Sequence, residues 1–299
     1  MTGVIASPSV RALAGRRGID IDRLAAELGR TTIAREDLER RGPPPAQQGT
    51  AAPGPAPPSP WDVDHAAYGP VRFEQTSRIA RVAAANLGAA NAEIPQVTHH
   101  DRADMRAVEA FRARMKPQAE SRGLRLTALA FHVAALARCL IEFPRLNASL
   151  EPGGTRLVLK DYVHVAIAVD TPGGLLVPVI RNADRKGLWD IAADIADLAA
   201  RAQARKLRAE DMGGASITIS NLGGIGGHAF TPIVNPPELA ILGLAKTELQ
   251  PVWTNDSFHP VPMTPISLSY DHRVINGADA ARTTKRLADM IKDPRYLMV

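Results

Sequence analysis

Between Gly42 and Pro60 the chain reads GPPPAQQGTAAPGPAPPSP, and this stretch limits the fold more than any other. Proline has no amide proton to give a helix or a sheet, and the alanines and glycines around it offer little to bury. Such a segment is a semi-extended spacer. It divides the 299 residues into a short block and a long one, each of which must build its own core. The expected layout is a small domain over 1–42, a Pro/Ala-rich linker over 43–74 and a large domain over 75–299.

In the short block, Ser7-Pro8-Ser9-Val10 reads as a helix start, with Ser7 as N-cap and Pro8 at the first helical position. Val10, Leu13 and Ala14 keep helical spacing, and Gly18 ends the helix. Ile21, Leu24, Ala25 and Leu28 form a second apolar stripe, and Ile33 and Leu38 a third cluster. The expectation is a very small all-helical domain of three short segments, near the lower limit of what folds unaided.

The long block mixes both periodicities. Helices are expected over Ser77–Leu87, Arg102–Met115, Leu126–Leu140, Leu188–Leu207 and Ala278–Ile291. The third of these is apolar nearly all round and therefore buried. Strands are expected over Val163–Val169 and Leu175–Ile180, joined by the turn Asp170-Thr171-Pro172-Gly173-Gly174, and over Ala215–Ser220, Leu239–Leu244 and Ile266–Tyr270. The block is thus an α/β domain. Aromatics are only 4% of the chain, so its core rests on Ala, Val, Leu and Ile.

Several functional classes are disfavoured. No apolar run reaches the ~18 residues of a membrane span, and residues 1–10 lack the pattern of a secretory signal. The single cysteine, Cys139, forms no intrachain disulfide and fits a reducing compartment, so a cytoplasmic location is expected. It lies on the apolar helix and reads as core rather than nucleophile. The net charge of +5 is spread along the chain without a Lys/Arg block or aromatic platform, so no nucleic-acid partner is expected. No His-Glu-x-x-His spacing or thiolate cluster points to a metal.

The sharpest candidate for chemistry is SLSYDHRVINGADA, from Ser267 to Ala280. A strand runs into Asp271-His272-Arg273, and Gly277 opens a helix. A histidine just past a strand end suits a general base, because an imidazole exchanges its proton near neutral pH. A lone histidine is more often a satisfied turn or core residue; here Asp271, Arg273 and Asn276 crowd around it. The second candidate is SITISNLGGIGGH, from Ser216 to His228, where Ser220 could offer a hydroxyl to a developing oxyanion. Gly224-Ile225-Gly226-Gly227-His228-Ala229 also fits G-x-G-x-x-A, but that fingerprint needs a helix directly afterwards, and Thr231-Pro232-Ile233-Val234-Asn235-Pro236-Pro237 cannot supply one. A plain hairpin would account for the glycines but not for Ser220. His99 and His100, read at a strand end after Pro95-Gln96-Val97-Thr98, are weaker candidates.

Together these motifs resemble the acyltransferase (E2) components of 2-oxoacid dehydrogenase complexes, and among them the bacterial pyruvate type. Asp271-His272-Arg273-Val274-Ile275-Asn276-Gly277 resembles their D-H-R-x-x-[D/N]-G signature. Thr218–Gly223 with Pro232–Glu238, Ile94–Asp101 and Val169–Leu175 are similar to further blocks, and the resemblance covers about Gln75 to Val299. Residues 7–41 resemble the peripheral subunit-binding domain of the same proteins, although Ala26-Glu27-Leu28-Gly29-Arg30-Thr31-Thr32 replaces the usual glycine-rich loop. A lipoyl domain, usual in the family, is not among these residues, and Asn276 replaces the commoner aspartate.

The resemblance implies a chloramphenicol-acetyltransferase-like fold and a homotrimer with active sites between subunits. His272 would act as base on coenzyme A, with Ser220 from the neighbour steadying the oxyanion and Asn276 completing the site. The lipoyl group would arrive on a domain outside this chain, and no metal is needed. Implied partners are further copies in a cage of 24 or 60, and the decarboxylase (E1) or dihydrolipoamide dehydrogenase (E3) through residues 7–41. The apolar end Tyr296-Leu297-Met298-Val299 would dock trimers into that cage. The acyl group is expected to be acetyl, with succinyl or branched-chain groups as alternatives. A non-catalytic scaffold is the competing class, against which the presence of both His272 and Ser220 argues.

Overall fold

The computed structural model describes residues 4–40 and 61–297. The chain forms two units, Met1–Phe73 and Glu74–Val299. The linker is expected to end at residue 74. Residues 43–60 of that linker lie outside the described residues, as do Met298 and Val299 of the apolar end; His65–Tyr68 form a 3-10 turn capped by Asp64.

The first unit comprises β1 (Ile5–Ala6), α1 (Pro8–Arg17), α2 (Ile21–Leu28), β2 (Thr32–Ile33) and α3 (Arg35–Arg40). Ser7 accepts the amide of Val10, and Gly18 closes α1 at φ 63°, a left-handed value that favours glycine. Val10, Ala14, Leu24, Ala25, Ile33 and Leu38 form the core. The expectation of an all-helical domain is corrected: Ile5–Ala6 and Thr32–Ile33 pair as a parallel ladder. Two residues per strand are too short for any periodicity to reveal.

The second unit runs α4 (Arg78–Glu93), β3 (Gln96–Asp104), α5 (Arg106–Ser121), α6 (Ala128–Glu142), β4 (Ala148–Leu150), β5 (Leu157–Leu159), β6 (Val165–Ile167), β7 (Val179–Ile180), α7 (Leu188–Gln203), β8 (Ile217–Asn221), β9 (Ala240–Leu244), β10 (Glu248–Thr254), β11 (Ser257–Asp271) and α8 (Gly277–Lys292). It is a mixed α/β domain. Its main sheet has the order β10-β11-β9-β8-β6-β7, with β3 also paired to β11. Strands β6, β8 and β9 are parallel, and β11 is antiparallel to both β9 and β3.

The two faces of this sheet differ in chemistry. Ile217, Ile219, Ala240, Leu242, Leu244, Ile266, Leu268 and Tyr270 join the apolar core, which includes α6 and α8. The alternate positions Thr218, Ser220, Gly243, Ser267 and Ser269 point to the other face, since side chains alternate along a strand. Ala90 and Ile94, at the end of α4, meet Val234 and Ile241 there. No helix of the described residues is long and apolar enough to cross a membrane.

Two parts of this unit depart from the sequence reading. Arg102–Asp104 continue β3 instead of opening a helix, and His99 and His100 consequently lie within that strand, not at its end. The hairpin β10–β11 was not expected either, because Pro251, Pro260, Pro262 and Pro265 interrupt its pattern. Its two-residue turn is Asn255-Asp256, both at positive φ (49° and 62°), as a primed turn requires.

Candidate active site

His272 stands on the turn between β11 and α8, where strand pairing ends. Its backbone amide donates to Pro95 O at 3.0 Å, and its ring lies 5.8 Å from that of Tyr270. The turn is fastened from below by Asp271, which is 1% exposed. The Asp271 carboxylate accepts Arg273 Nε at 3.0 and 3.1 Å, Arg273 Nη2 at 2.7 Å and the Arg273 amide at 3.0 Å. Asp271 N in turn donates to Leu239 O at 2.8 Å. The imidazole itself is exposed. Asn276 Oδ1 accepts Asp279 N at 2.9 Å and caps α8, and among the described residues no hydrogen bond joins Asn276 to the imidazole. Among the described residues, neither ring nitrogen of His272 has a hydrogen-bond partner, so both are available to a ligand.

Ser220 lies near the end of β8, half-buried, on the polar face of the sheet. It pairs with Gly243 of β9, which pairs with Ser267 of β11, which pairs with His100 of β3. His100 Nδ1 is 2.9 Å from Ser267 Oγ. Gly243 cannot be larger, because a Cβ there would meet the Phe230 ring at 2.8 Å. Phe230 belongs to the glycine-rich connection, which forms no helix and joins parallel strands, so neither the dinucleotide fingerprint nor the hairpin is present.

Within one chain the two candidates are held apart. From the Ser220–Gly243–Ser267 row to His272 there are five residues along β11 and two strands across. At ~3.4 Å per residue and ~4.8 Å per strand this is roughly 20 Å. Hydrogen-bond reach is ~3 Å. His272 and Ser220 of the same chain therefore do not share a substrate atom, and any site using both needs a second copy.

Sequence reasoning missed Glu238. It follows the cis Pro236–Pro237 bond, is 4% exposed, and accepts Thr218 Oγ1 at 2.7 Å and Asn235 Nδ2 at 3.2 Å. Burial outweighs these hydrogen bonds and pushes its carboxyl up to about 7. An acid directly before an apolar strand carries no sequence signal of burial. His132, in α6, is likewise buried; desolvation lowers it to about 4 despite its bond to Ala128 O. Burial pushes the Cys139 thiol up to about 12, which fits a core residue. Among the described residues no group of three His, Cys, Asp or Glu side chains could hold a metal ion.

The α/β domain sets a free imidazole on a tightly fastened turn and a serine on a distant strand end. The chain belongs to the 2-oxoacid dehydrogenases acyltransferase family, whose catalytic-domain model matches residues 69–299. It is 47% identical, over 99% of its length and 55% of the relative's, to the dihydrolipoyllysine-residue acetyltransferase component of the pyruvate dehydrogenase complex of Pseudomonas aeruginosa. The corresponding component of Azotobacter vinelandii is 46% identical over 99% of this chain and 47% of that one. The chain thus spans about half the length of these curated relatives. A structure of the Azotobacter vinelandii dihydrolipoamide acetyltransferase, solved to investigate the role of a serine, a histidine and an asparagine in its catalytic mechanism, superposes with a TM-score of 0.79 at 50% identity. It covers 82% of this chain and 100% of that one. The atomic structure of the cubic core of the pyruvate dehydrogenase multienzyme complex matches equally well, with a TM-score of 0.79.

Proposed function

We propose that this chain is the acyltransferase core of a pyruvate-type dehydrogenase complex and moves an acetyl group from S-acetyldihydrolipoamide to coenzyme A. One observation carries the reading. The serine, histidine and asparagine studied in the Azotobacter relative are separated by 52 and 4 residues, the same intervals as Ser220, His272 and Asn276 here. The finer fold assignment, chloramphenicol-acetyltransferase-like, belongs to the same proposal.

The mechanism follows from acid–base chemistry. A thiol is mostly protonated at neutral pH, while its thiolate is the nucleophile. Neutral His272 takes the proton from the coenzyme A sulfur. The thiolate attacks the thioester carbonyl, forming the new C–S bond, and charge collects on oxygen. Ser220 of a neighbouring copy donates a hydrogen bond to that oxyanion, an interaction typically worth ~3 kcal/mol. The oxyanion collapses, the bond to the dihydrolipoamide sulfur breaks, and that sulfur recovers the proton from His272. No acyl-enzyme forms and no metal takes part. Asn276 acts through the backbone, fixing where α8 begins and so where the turn ends.

Because one chain keeps His272 and Ser220 roughly 20 Å apart, the reading requires a homotrimer with sites between copies. Trimers joined into a larger cage, a lipoyl group brought by a domain outside this chain, and capture of the decarboxylase or dihydrolipoamide dehydrogenase by residues 7–41 complete the proposal, in a cytoplasmic setting. An acetyl-transfer assay with acetyl-CoA and free dihydrolipoamide tests it. Turnover by the purified chain is expected, with a loss of at least ~100-fold in His272→Ala and a smaller loss, at similar substrate binding, in Ser220→Ala. Unchanged turnover in His272→Ala overturns the assignment; a rise in KM alone makes Ser220 a binding residue.

A further inference from the structure

Glu238 has no part in the scheme above, yet it joins the two regions that carry the chemistry. Its Oε2 accepts from Thr218, two residues before Ser220 on the same face of β8. Its own chain neighbour, Leu239, supplies the carbonyl that receives Asp271 N, one residue before His272. Its Oε1 accepts from Asn235, which holds the irregular segment leading into β9. One buried carboxylate thus ties the serine strand to the stretch on which the histidine turn is hung.

A carboxylate is costly to bury unless it is fully partnered, so an apolar residue would stabilise this position more. Both of its oxygens meet donors, a hydroxyl and an amide, which is the arrangement an ionised carboxylate requires. Protonation turns one oxygen into a donor and weakens its acceptance from the hydroxyl or the amide. Around it, Lys160 is the nearby cation, its ammonium donating to Ala215 O at 2.9 Å. Glu93, Glu151, Asp271 and Arg273 line the same cavity of about 550 Å³. Asp271 and Arg273 are already paired with each other, and no cation forms a direct ion pair with Glu238 among the described residues.

We infer that Glu238 is a positioning residue for the proposed transfer: its ionised carboxylate holds the Thr218 strand and the Leu239–Asp271 attachment in register, so that Ser220 and His272 face neighbouring copies in productive geometry. Protonation loosens this tie. The inference rests on the acetyltransferase reading and adds to it a residue that touches no substrate. Burial pushes its carboxyl up to about 7, so the tie should change state near neutral pH.

The test compares Glu238→Gln, Glu238→Asp and Thr218→Val with the unaltered chain as intact assembled particles, measuring kcat and KM for acetyl-CoA and dihydrolipoamide from pH 6 to pH 8. Thr218→Val removes one donor while keeping the branched shape the strand prefers. Glu238→Gln is expected to lower kcat ~10-fold at pH 8, a misplacement effect, with KM for either substrate unchanged within about twofold. The deficit should shrink toward pH 6, where the unaltered chain also lacks the carboxylate. Thr218→Val should reproduce the kcat loss, and Glu238→Asp should restore part of it. A wild-type to Glu238→Gln ratio that is flat with pH, or a loss confined to KM, overturns the role of Glu238. If Glu238→Gln does not fold, a full kcat in folded Thr218→Val overturns it equally. A wild-type chain without transfer activity would instead remove the proposed function itself, so the two failures are distinct.

Discussion

Replacing Arg273 with methionine tests how the histidine turn is held. The substitution keeps the apolar stem and removes the fork. Asp271 loses three of its four contacts and keeps only the backbone amide of residue 273. Breaking a fully buried ion pair from one side costs ~3–5 kcal/mol. Here the arginine side chain is 44% exposed and the aspartate 1%, so water can replace part of what is lost. About 2 kcal/mol is the appropriate magnitude once that screening is allowed for. A unit running from Glu74 to Val299 unfolds with an entropy of roughly 0.5 kcal/mol/K, so Tm should fall by about 4 °C at fixed scan rate. Because His272 follows Asp271 directly, kcat in the acetyl-transfer assay should fall ~10-fold with KM little changed. Arg273→Lys, which keeps the charge but not the two-pronged geometry, should fall between the two. A Tm within about 1 °C of the unaltered chain, together with undiminished turnover, would refute the claim that this pair positions the turn.

Other consequences can be checked independently. Asn276→Ala removes the cap of α8 and should cost ~1 kcal/mol, or about 2 °C in Tm, while Asn276→Asp should restore the stability; a melt unaffected by alanine would contradict the capping role. Cys139, with its thiol pushed up to about 12, should resist alkylation at pH 8 in the folded protein and react fully in denaturant, as read by mass spectrometry. Two buried groups give opposite pH dependences. The folded chain keeps a proton on Glu238 between its ordinary value of 4.5 and about 7, so this group lowers stability as pH rises through that window. The folded chain keeps His132 unprotonated down to about 4, so this group raises stability as pH rises from about 4 to 6.5. Each amounts to ~3 kcal/mol at most, and they largely offset one another. Urea titrations should therefore show stability rising with pH in Glu238→Gln and falling in His132→Leu; parallel profiles for both variants would contradict the burial argument.

The parts of the fold that follow from local rules were legible in the sequence. Ser7 and Gly18 bound α1, the apolar run bounds α6, and the alternation of Val163–Val169 marks β6. What was hidden depends on partners distant in the chain. The prolines of β11 disguise a 15-residue strand whose pairing with β3, β9 and β10 only the sheet makes evident. Gln96–Asp104 carries charged residues on both faces and still forms a strand, because β11 supplies the ladder. Within the candidate site, His272 was readable from its turn residues and Ser220 from its strand end. The roughly 20 Å between them was not, since it arises from the antiparallel register of β9 and β11. Glu238 was invisible for the same reason: its burial is created by β8 and the cis Pro236–Pro237 segment, not by its own neighbours.

Mixing two impaired variants is the most direct probe of a site shared between copies. His272→Ala and Ser220→Ala chains would be co-refolded in equal amounts and assayed for acetyl transfer against each variant refolded alone. If each site takes its imidazole from one copy and its hydroxyl from the next, about a quarter of the sites in randomly mixed closed rings regain both groups, from two independent one-in-two choices. Turnover near a quarter of the wild-type value, well above either variant alone, is the predicted result. Turnover no higher than the average of the two separate variants, in particles verified to contain both chains, would contradict the account.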